Sequence, residues 1–216
     1  MPEPATLLAF ALAALVLNLT PGPDMLYCLT RAATHGPRGA LAASLGNILG
    51  TLVHAAAAVL GLSALLATSA EAFAVLKLAG AAYLVYLGLR LLLTPAPLAD
   101  PIPAADSSPA PSRGPSRSLR RVAADSFLIH TLNPKVAVFF VAFVPQFVTP
   151  TAASAQLAFL GLWYALQAGA VLLTIGLLAA RARRGVTIRP VWTRWARRAA
   201  GGVFMLLGGK LALAKA

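Results

Sequence analysis

Apolar runs fill most of the chain, and polar residues gather in a few stretches between them. A helix needs about 20 apolar residues to cross a bilayer. Six such runs fit, over roughly 5–30, 39–67, 71–93, 125–148, 154–180 and 197–214. Two of them are interrupted. The first carries Leu19-Thr20-Pro21-Gly22-Pro23-Asp24 and the fourth carries Leu132-Asn133-Pro134-Lys135. Proline has no amide N–H, and its ring clashes with the carbonyl four residues back. Gly22, between two prolines, tolerates almost any backbone angle, which makes this site an interruption rather than a simple kink. Lipid cannot satisfy the freed backbone groups, so such breaks persist where protein buries them or where they line a polar cavity. The pattern predicts an all-α polytopic membrane protein with six transmembrane helices, spans 1 and 4 broken at proline.

The runs divide into two sets of three. Residues 94–124 hold seven prolines (95, 97, 101, 103, 109, 111 and 115) and several serines, and read as a cytoplasmic linker. Residues 1–93 form the first three-helix repeat and 125–216 the second. A shift of 113 places Pro21 on Pro134 and carries 39–67 onto 152–180. A shift of 121 places Lys77, Gly80, Tyr83 and Gly88 on Arg198, Gly201, Phe204 and Gly209. With three spans per half, the second copy enters the membrane from the opposite side. That is an inverted repeat, and matched broken segments in two halves point to a transporter's binding site. Pro21 lies deeper in its span than Pro134 does, and a start of span 4 near Leu119 would bring the two closer.

Composition supports a membrane protein. The chain of 216 residues is 59% hydrophobic and only 11% charged, with a mean hydropathy of +0.78. Soluble domains are nearer 45–50% apolar and about 25% charged. The net charge of +12 does not point to nucleic acid, because the arginines sit in connections between apolar runs. Arg31 and Arg38, with His35, follow span 1; Arg113, Arg117, Arg120 and Arg121 lie in the linker. Arg181, Arg183, Arg184, Arg189, Arg194, Arg197 and Arg198 precede span 6. All three connections fall on one side of a six-span arrangement, while the other side has Glu71 and an uncharged loop at 149–153. The positive-inside rule places the basic side in the cytoplasm of a bacterial inner membrane and both termini outside. No basic residue precedes residues 5–20, unlike a secretory signal, so they read as the start of span 1. Cys28 is the only cysteine, which rules out an intrachain disulfide and a two-thiol relay.

The chemistry concentrates at the breaks. The helix resuming after Pro23 opens with unpaired N–H groups, and Asp24 suits that end. Thr20 and Asn133 can bond freed carbonyls or a ligand. Lys135 lies ten residues past Asp125, about 15 Å into its span at 1.5 Å per residue. A mid-depth charge costs roughly 2.5–3.5 kcal/mol on insertion scales, so it pairs or faces water. Asp24 and Lys135 are therefore expected to border one polar cavity, which an α-carboxylate and an α-ammonium would match. The plainer reading is a packing kink with a static ion pair; a charged break in each half weighs against it.

Other residues carry two readings each. His54 is a proton carrier, since imidazole changes charge near neutral pH, or a buried histidine satisfied by a neighbour. Asn47 bonds substrate or bridges helices. His130 reads as a solvated residue at the membrane edge. Lys77 and Arg90 read as snorkelling side chains, and Trp192 and Trp195 as interface anchors. Gly46, Gly50 and Gly61 read as close helix packing. Tyr83 and Tyr86 read as packing or interfacial residues.

The motifs also resemble a family. NLTPGPDMLYCLTR at 18–31, GPRGALAASLGNILGTLVHAAAAVLGLSALL at 36–66, KLAGAAYLVYLGLRLL at 77–92 and LNPKVAVFFVAFVPQFV at 132–148 are similar to the LysE/RhtB family. Only 94–124 and 181–196 fall outside the likeness. The resemblance implies an inner-membrane secondary transporter that exports amino acids, driven by the proton motive force. It carries over Pro21, Gly22, Pro23 and Asp24, with Asn133, Pro134 and Lys135. Asp125 departs from it, standing where a small residue is expected. The expected partners are an amino acid, protons and the bilayer, with no cofactor, and a homo-oligomer is compatible. The alternative is a metal or other ion exporter of similar architecture, which would need clustered carboxylates, histidines or cysteines. An enzyme is disfavoured, since no HExxH or GxSxG occurs and no glutamate lies inside a span, Glu71 standing at the very edge of one.

Overall fold

The computed structural model describes residues 2–93, 118–181 and 190–213. Among the described residues every regular element is helical. In chain order these are α1 (Pro4–Leu19), α2 (Pro23–Ala57), α3 (Ser63–Thr68), α4 (Ala70–Leu93), α5 (Leu119–Thr131), α6 (Pro134–Val138), α7 (Ala153–Arg181) and α8 (Pro190–Leu213). A π-helical turn at Ala58–Leu62 joins α2 to α3, and a second one, Phe139–Phe143, extends α6. The linker residues 94–117 and the basic stretch 182–189 lie outside the described residues.

Pro23–Leu65 and Ala153–Arg181 are each long and apolar enough to cross a membrane. Leu119–Thr131 and Pro134–Phe147 make a third candidate, bent by 50° at its break. Pro4–Leu19 and Leu78–Leu93 are apolar but shorter. α2 is not one straight rod. Gly36 has φ 62° and ψ −151°, and Pro37 follows it. Only glycine adopts that backbone readily. The chain folds back there, as side-chain positions prove. Asn47 Nδ2 lies 2.7 Å and Asp24 Oδ2 3.6 Å from the same nitrogen of His130. A straight helix would hold those two residues roughly 35 Å apart, at 1.5 Å per residue. The arm before Gly36 therefore lies back along the arm after it.

Two helices begin before the spans first drawn. α5 begins at Leu119, the earlier start that the unequal depths of Pro21 and Pro134 suggested, and Ser118 caps it by accepting from the Arg121 N–H at 3.3 Å. α8 begins at Pro190 rather than 197, with proline in the first turn, where its missing N–H costs nothing. Arg194, Arg197 and Arg198 thus belong to a helix and not to a loop. Trp192 and Trp195 are on the same helix, but their side chains lie outside the described residues, as does that of Lys77. Arg90 is exposed, as a snorkelling residue would be.

Small residues set the packing. α2 packs on both α5 and α7, and α4 packs on α8. A Cβ on Gly46 would run into the carbonyl of Ala123, and one on Gly50 would stand 3.0 Å from His130 Cβ. Gly176 accepts Ala40 and Cys28 together, which ties both arms of α2 to α7. Gly88 and Gly201 meet backbone to backbone between α4 and α8. The aromatic core lies beside the second break. Phe139 packs on Tyr164 and Phe143 at ring separations of 4.8 and 5.0 Å, and Phe10 of α1 closes over Phe139 at 6.0 Å. Gly61, expected to be a packing glycine like Gly46 and Gly50, has open space where a Cβ would be.

This difference between glycines is measurable. Gly46→Val forces α2 and α5 apart and is expected to destabilise the protein by about 1–3 kcal/mol, the usual range for overpacking. Gly61→Ala should leave stability unchanged. Chemical denaturation in micelles, followed by tryptophan fluorescence, separates the two.

Candidate functional site

The first break runs from Leu19 to Pro23. α1 ends as Thr20 leaves helical angles, and α2 resumes with Gly22 extended and Pro23 in its first turn. Most carbonyls released here find donors. The Thr20 N–H donates to Val16 O at 3.1 Å and to Leu17 O at 3.2 Å, and the Thr20 hydroxyl donates to Val16 O at 2.8 Å. The second break runs from Leu132 to Pro134. Asn133 is buried there, and its Oδ1 accepts from the Lys135 N–H at 3.0 Å, capping α6.

The two breaks meet. Lys135 Nζ donates to Leu17 O at 3.4 Å and to Thr20 O at 3.2 Å, so the second break's ammonium caps the carbonyl end of α1. A cation suits the negative end of a helix. Asp24 approaches the same open side of Gly22 as Lys135. A Cβ at Gly22 would lie 2.7 Å from Asp24 Oδ1 and 3.2 Å from Lys135 Nζ. The two charges thus border one glycine. The hydrogen bonds of Lys135 go to α1, and Asp24 Oδ2 faces His130 instead. Pro21 and Gly22 are half-buried, and Pro23 and Pro134 are exposed.

His130 corrects the sequence reading most. It was expected at the solvated edge, but it is 1% exposed. α5 starts six residues before the span first drawn, and Gly46 and Gly50 let it press on α2. His130 therefore points inward in the last turn before the break. Its Nδ1 lies 2.7 Å from Asn47 Nδ2 and its Nε2 2.9 Å from Thr51 Oγ1. Asn47 thus bridges helices. His54 approaches the backbone carbonyl of His130 through Nε2 at 3.3 Å and stacks on Phe140 with ring centres 5.9 Å apart. Thr51 was not singled out from sequence; its place one turn after Asn47 was the available signal. Tyr83 and Tyr86 pair with each other, rings 6.0 Å apart, on α4.

Among the described residues eight buried polar atoms lack a hydrogen-bond partner. Five belong to residues at the breaks or beside His130: Asn18 Nδ2, Asp24 Oδ1, Asn47 Oδ1, Thr131 Oγ1 and Asn133 Nδ2; the others are Arg31 Nε, Ser44 Oγ and Gln167 Oε1. Buried polar atoms are nearly always bonded, so such a group at two helix breaks marks a place suited to a polar ligand. Asp125 lies near the start of α5, accepting from Tyr27 Oη at 3.2 Å and from Arg121 Nε at 3.0 Å. Among the described residues no three His, Cys, Asp or Glu side chains stand close enough together to hold a metal ion.

Broken apolar helices, packed through glycines and closed around opposite charges, define a helical membrane protein with a polar interior. Comparison with known proteins takes this one step further. The LysE type translocator family matches residues 15–215, and the chain belongs to that family. It is 35% identical over 212 residues to an uncharacterized membrane protein of Vibrio cholerae, covering 97% of each chain. It is 32% identical over 208 residues to a homoserine/homoserine lactone efflux protein of Salmonella typhimurium, covering 96% of each. It is also 28% identical over 151 residues to a leucine efflux protein of an Enterobacter species, covering 70% of this chain and 67% of the relative. No solved structure matches it.

The caps make a prediction. Asn133→Ala removes the α6 cap and should cost about 1 kcal/mol of stability, as N-cap losses do. Lys135→Met leaves the Thr20 carbonyl without its charged donor and should cost about 1–3 kcal/mol. Thermal unfolding of the two purified variants beside the wild type gives the order.

Proposed function

We propose that this protein exports amino acids or close derivatives from the cytoplasm, exchanging them for protons across the bacterial inner membrane. The observation that carries this reading is the meeting of the two breaks at Gly22, with Asp24 and Lys135 both approaching its open side. The unpartnered atoms sort by chemistry. The amide nitrogens of Asn18 and Asn133 are donors that suit a carboxylate, as does the charge of Lys135, whose Nζ already bonds two carbonyls of the first break. Asp24 Oδ1 and Asn47 Oδ1 are acceptors that suit an ammonium. A zwitterion carries both groups. The efflux proteins named above, for homoserine and for leucine, support the same cargo class.

The architecture in this reading is six spans in two inverted repeats. α1 with the first arm of α2 makes span 1, and α5 with α6 and its extension makes span 4. Support comes from which helices touch. α2 and α7 correspond under the shift of 113 and pack together, and α4 and α8 correspond under the shift of 121 and pack together. A pseudo-twofold axis would bring equivalent helices into such pairs. The two repeats, 1–93 and 125–216, rock about the breaks to expose the site alternately. Basic connections face the cytoplasm. Thr20, Pro21, Gly22, Pro23, Asn133 and Pro134 shape the site, Asp24 and Lys135 hold the cargo, and Asn47 and His54 back it.

Efflux of labelled amino acids from cells overproducing the chain tests the reading, with homoserine and leucine in the panel. Faster efflux of at least one is expected. Asp24→Asn should lower that rate by about 10–100-fold, the worth of one charge-assisted hydrogen bond. No acceleration for any amino acid would reject the exporter reading.

A further inference from the structure

The contacts around His130 can all be met by a neutral ring. Thr51 Oγ1 lies 3.0 Å from Asn47 O, to which its hydroxyl donates, and 2.9 Å from Nε2, where it then accepts from a ring N–H. The Asn47 amide nitrogen lies 2.7 Å from Nδ1, which in that arrangement accepts. Asp24 Oδ2 waits 3.6 Å from the same Nδ1, and Asn47 Oδ1 is buried without a partner.

A proton on Nδ1 would upset this set in a defined way. Its N–H would oppose the N–H groups of Asn47, donor against donor. The remedy is already in place. Asn47 can turn its amide so that Oδ1 accepts, or Nδ1–H can bond Asp24 Oδ2 as a charge-assisted pair. The second outcome occupies the carboxylate that an amino acid's ammonium would use.

We propose that His130 is the proton-carrying group of the transport cycle, and that a proton on its Nδ1 and the substrate's ammonium compete for Asp24. The proposal rests on the exporter reading given above. The proton enters from water onto the Nδ1 lone pair and leaves to water from the same atom, so no other bond is made or broken. Two cations competing for one buried anion bind with negative coupling, and the coupling is reciprocal. Exchange of one for the other follows as the site is exposed to each side in turn. The titratable groups around His130 among the described residues are few. Asp24 faces it from the first arm of α2 and His54 from the second, its ring centre 6.2 Å away. Lys135 of α6 approaches the same side of Gly22 as Asp24, and Tyr164 of α7 lies within electrostatic range of Asp24. His54 reaches the carbonyl of His130, not the carboxylate.

The test uses full-length protein in liposomes with labelled homoserine and leucine. Counterflow at equal pH reports substrate exchange, and an imposed pH gradient reports coupling. The wild type is expected to show both. His130→Gln keeps a donor and an acceptor but no titratable proton. It should retain counterflow above that of empty liposomes, at reduced rate, and lose stimulation by the gradient. Asn47→Asp sets a carboxylate beside Nδ1 and favours the protonated ring. That carboxylate takes the Nδ1–H bond in place of Asp24, so the acid inhibition of counterflow should be largely lost. Full gradient stimulation in His130→Gln, or undiminished acid inhibition in Asn47→Asp, would overturn the proposal. A wild type that exchanges neither amino acid, or ignores the gradient, sinks the exporter reading itself and this proposal with it.

Discussion

The backbone groups released by two proline breaks are the constraint to which the rest of the site answers. Within lipid no water is at hand to bond them, so protein must. Thr20 serves Val16 and Leu17, and Lys135 reaches across from the second break to serve Leu17 and Thr20. Each break is therefore incomplete without the other. The ammonium has a structural reason to be where it is, apart from any cargo. Because its bonds go to α1, it leaves Asp24 free of a direct partner on Oδ1. Asp24 Oδ1 and Lys135 Nζ thus both border the open space beside Gly22, where a side chain would collide with the carboxylate.

Close packing serves the same end. Gly46 and Gly50 bring α5 onto α2 until the backbone of Ala123 and the side chain of His130 touch it. A bulkier residue at either position would lift His130 away from Asn47 and Thr51. The aromatic cluster of Phe139, Phe140, Phe143 and Tyr164 fills the other flank and is buried throughout. The wide π turn at Phe139–Phe143 carries three of those four rings. Close-packed residues thus wall a small polar centre on two flanks.

Much of this was legible from residues. Proline and glycine fix local backbone whatever the surroundings, so both breaks could be placed to the residue. The two charges beside them pointed to each other because an unpaired charge inside a membrane is costly, and both do approach Gly22. What failed was long-range. His130 looked peripheral because the span was counted from Asp125, and only the packing of α5 on α2 turns it inward. The direct target of Lys135 was hidden for the same reason, since main-chain carbonyls carry no mark in a sequence. The start of α8 at Pro190 was masked by its arginines, which resemble a loop when read for charge alone.

The turn at Gly36 has a further consequence. It is a one-residue reversal followed at once by proline, and just beyond it a Cβ on Gly39 would meet the Arg31 carbonyl. The arm that bears Asp24 and the arm that bears Asn47, Thr51 and His54 are thus joined with no slack and pinned together on Gly176. They form one jaw. The residues that carry charge cannot open away from those that hold His130 without breaking that reversal. Near the site, extended backbone falls at Thr20 and Gly22 and at Asn133, outside that jaw.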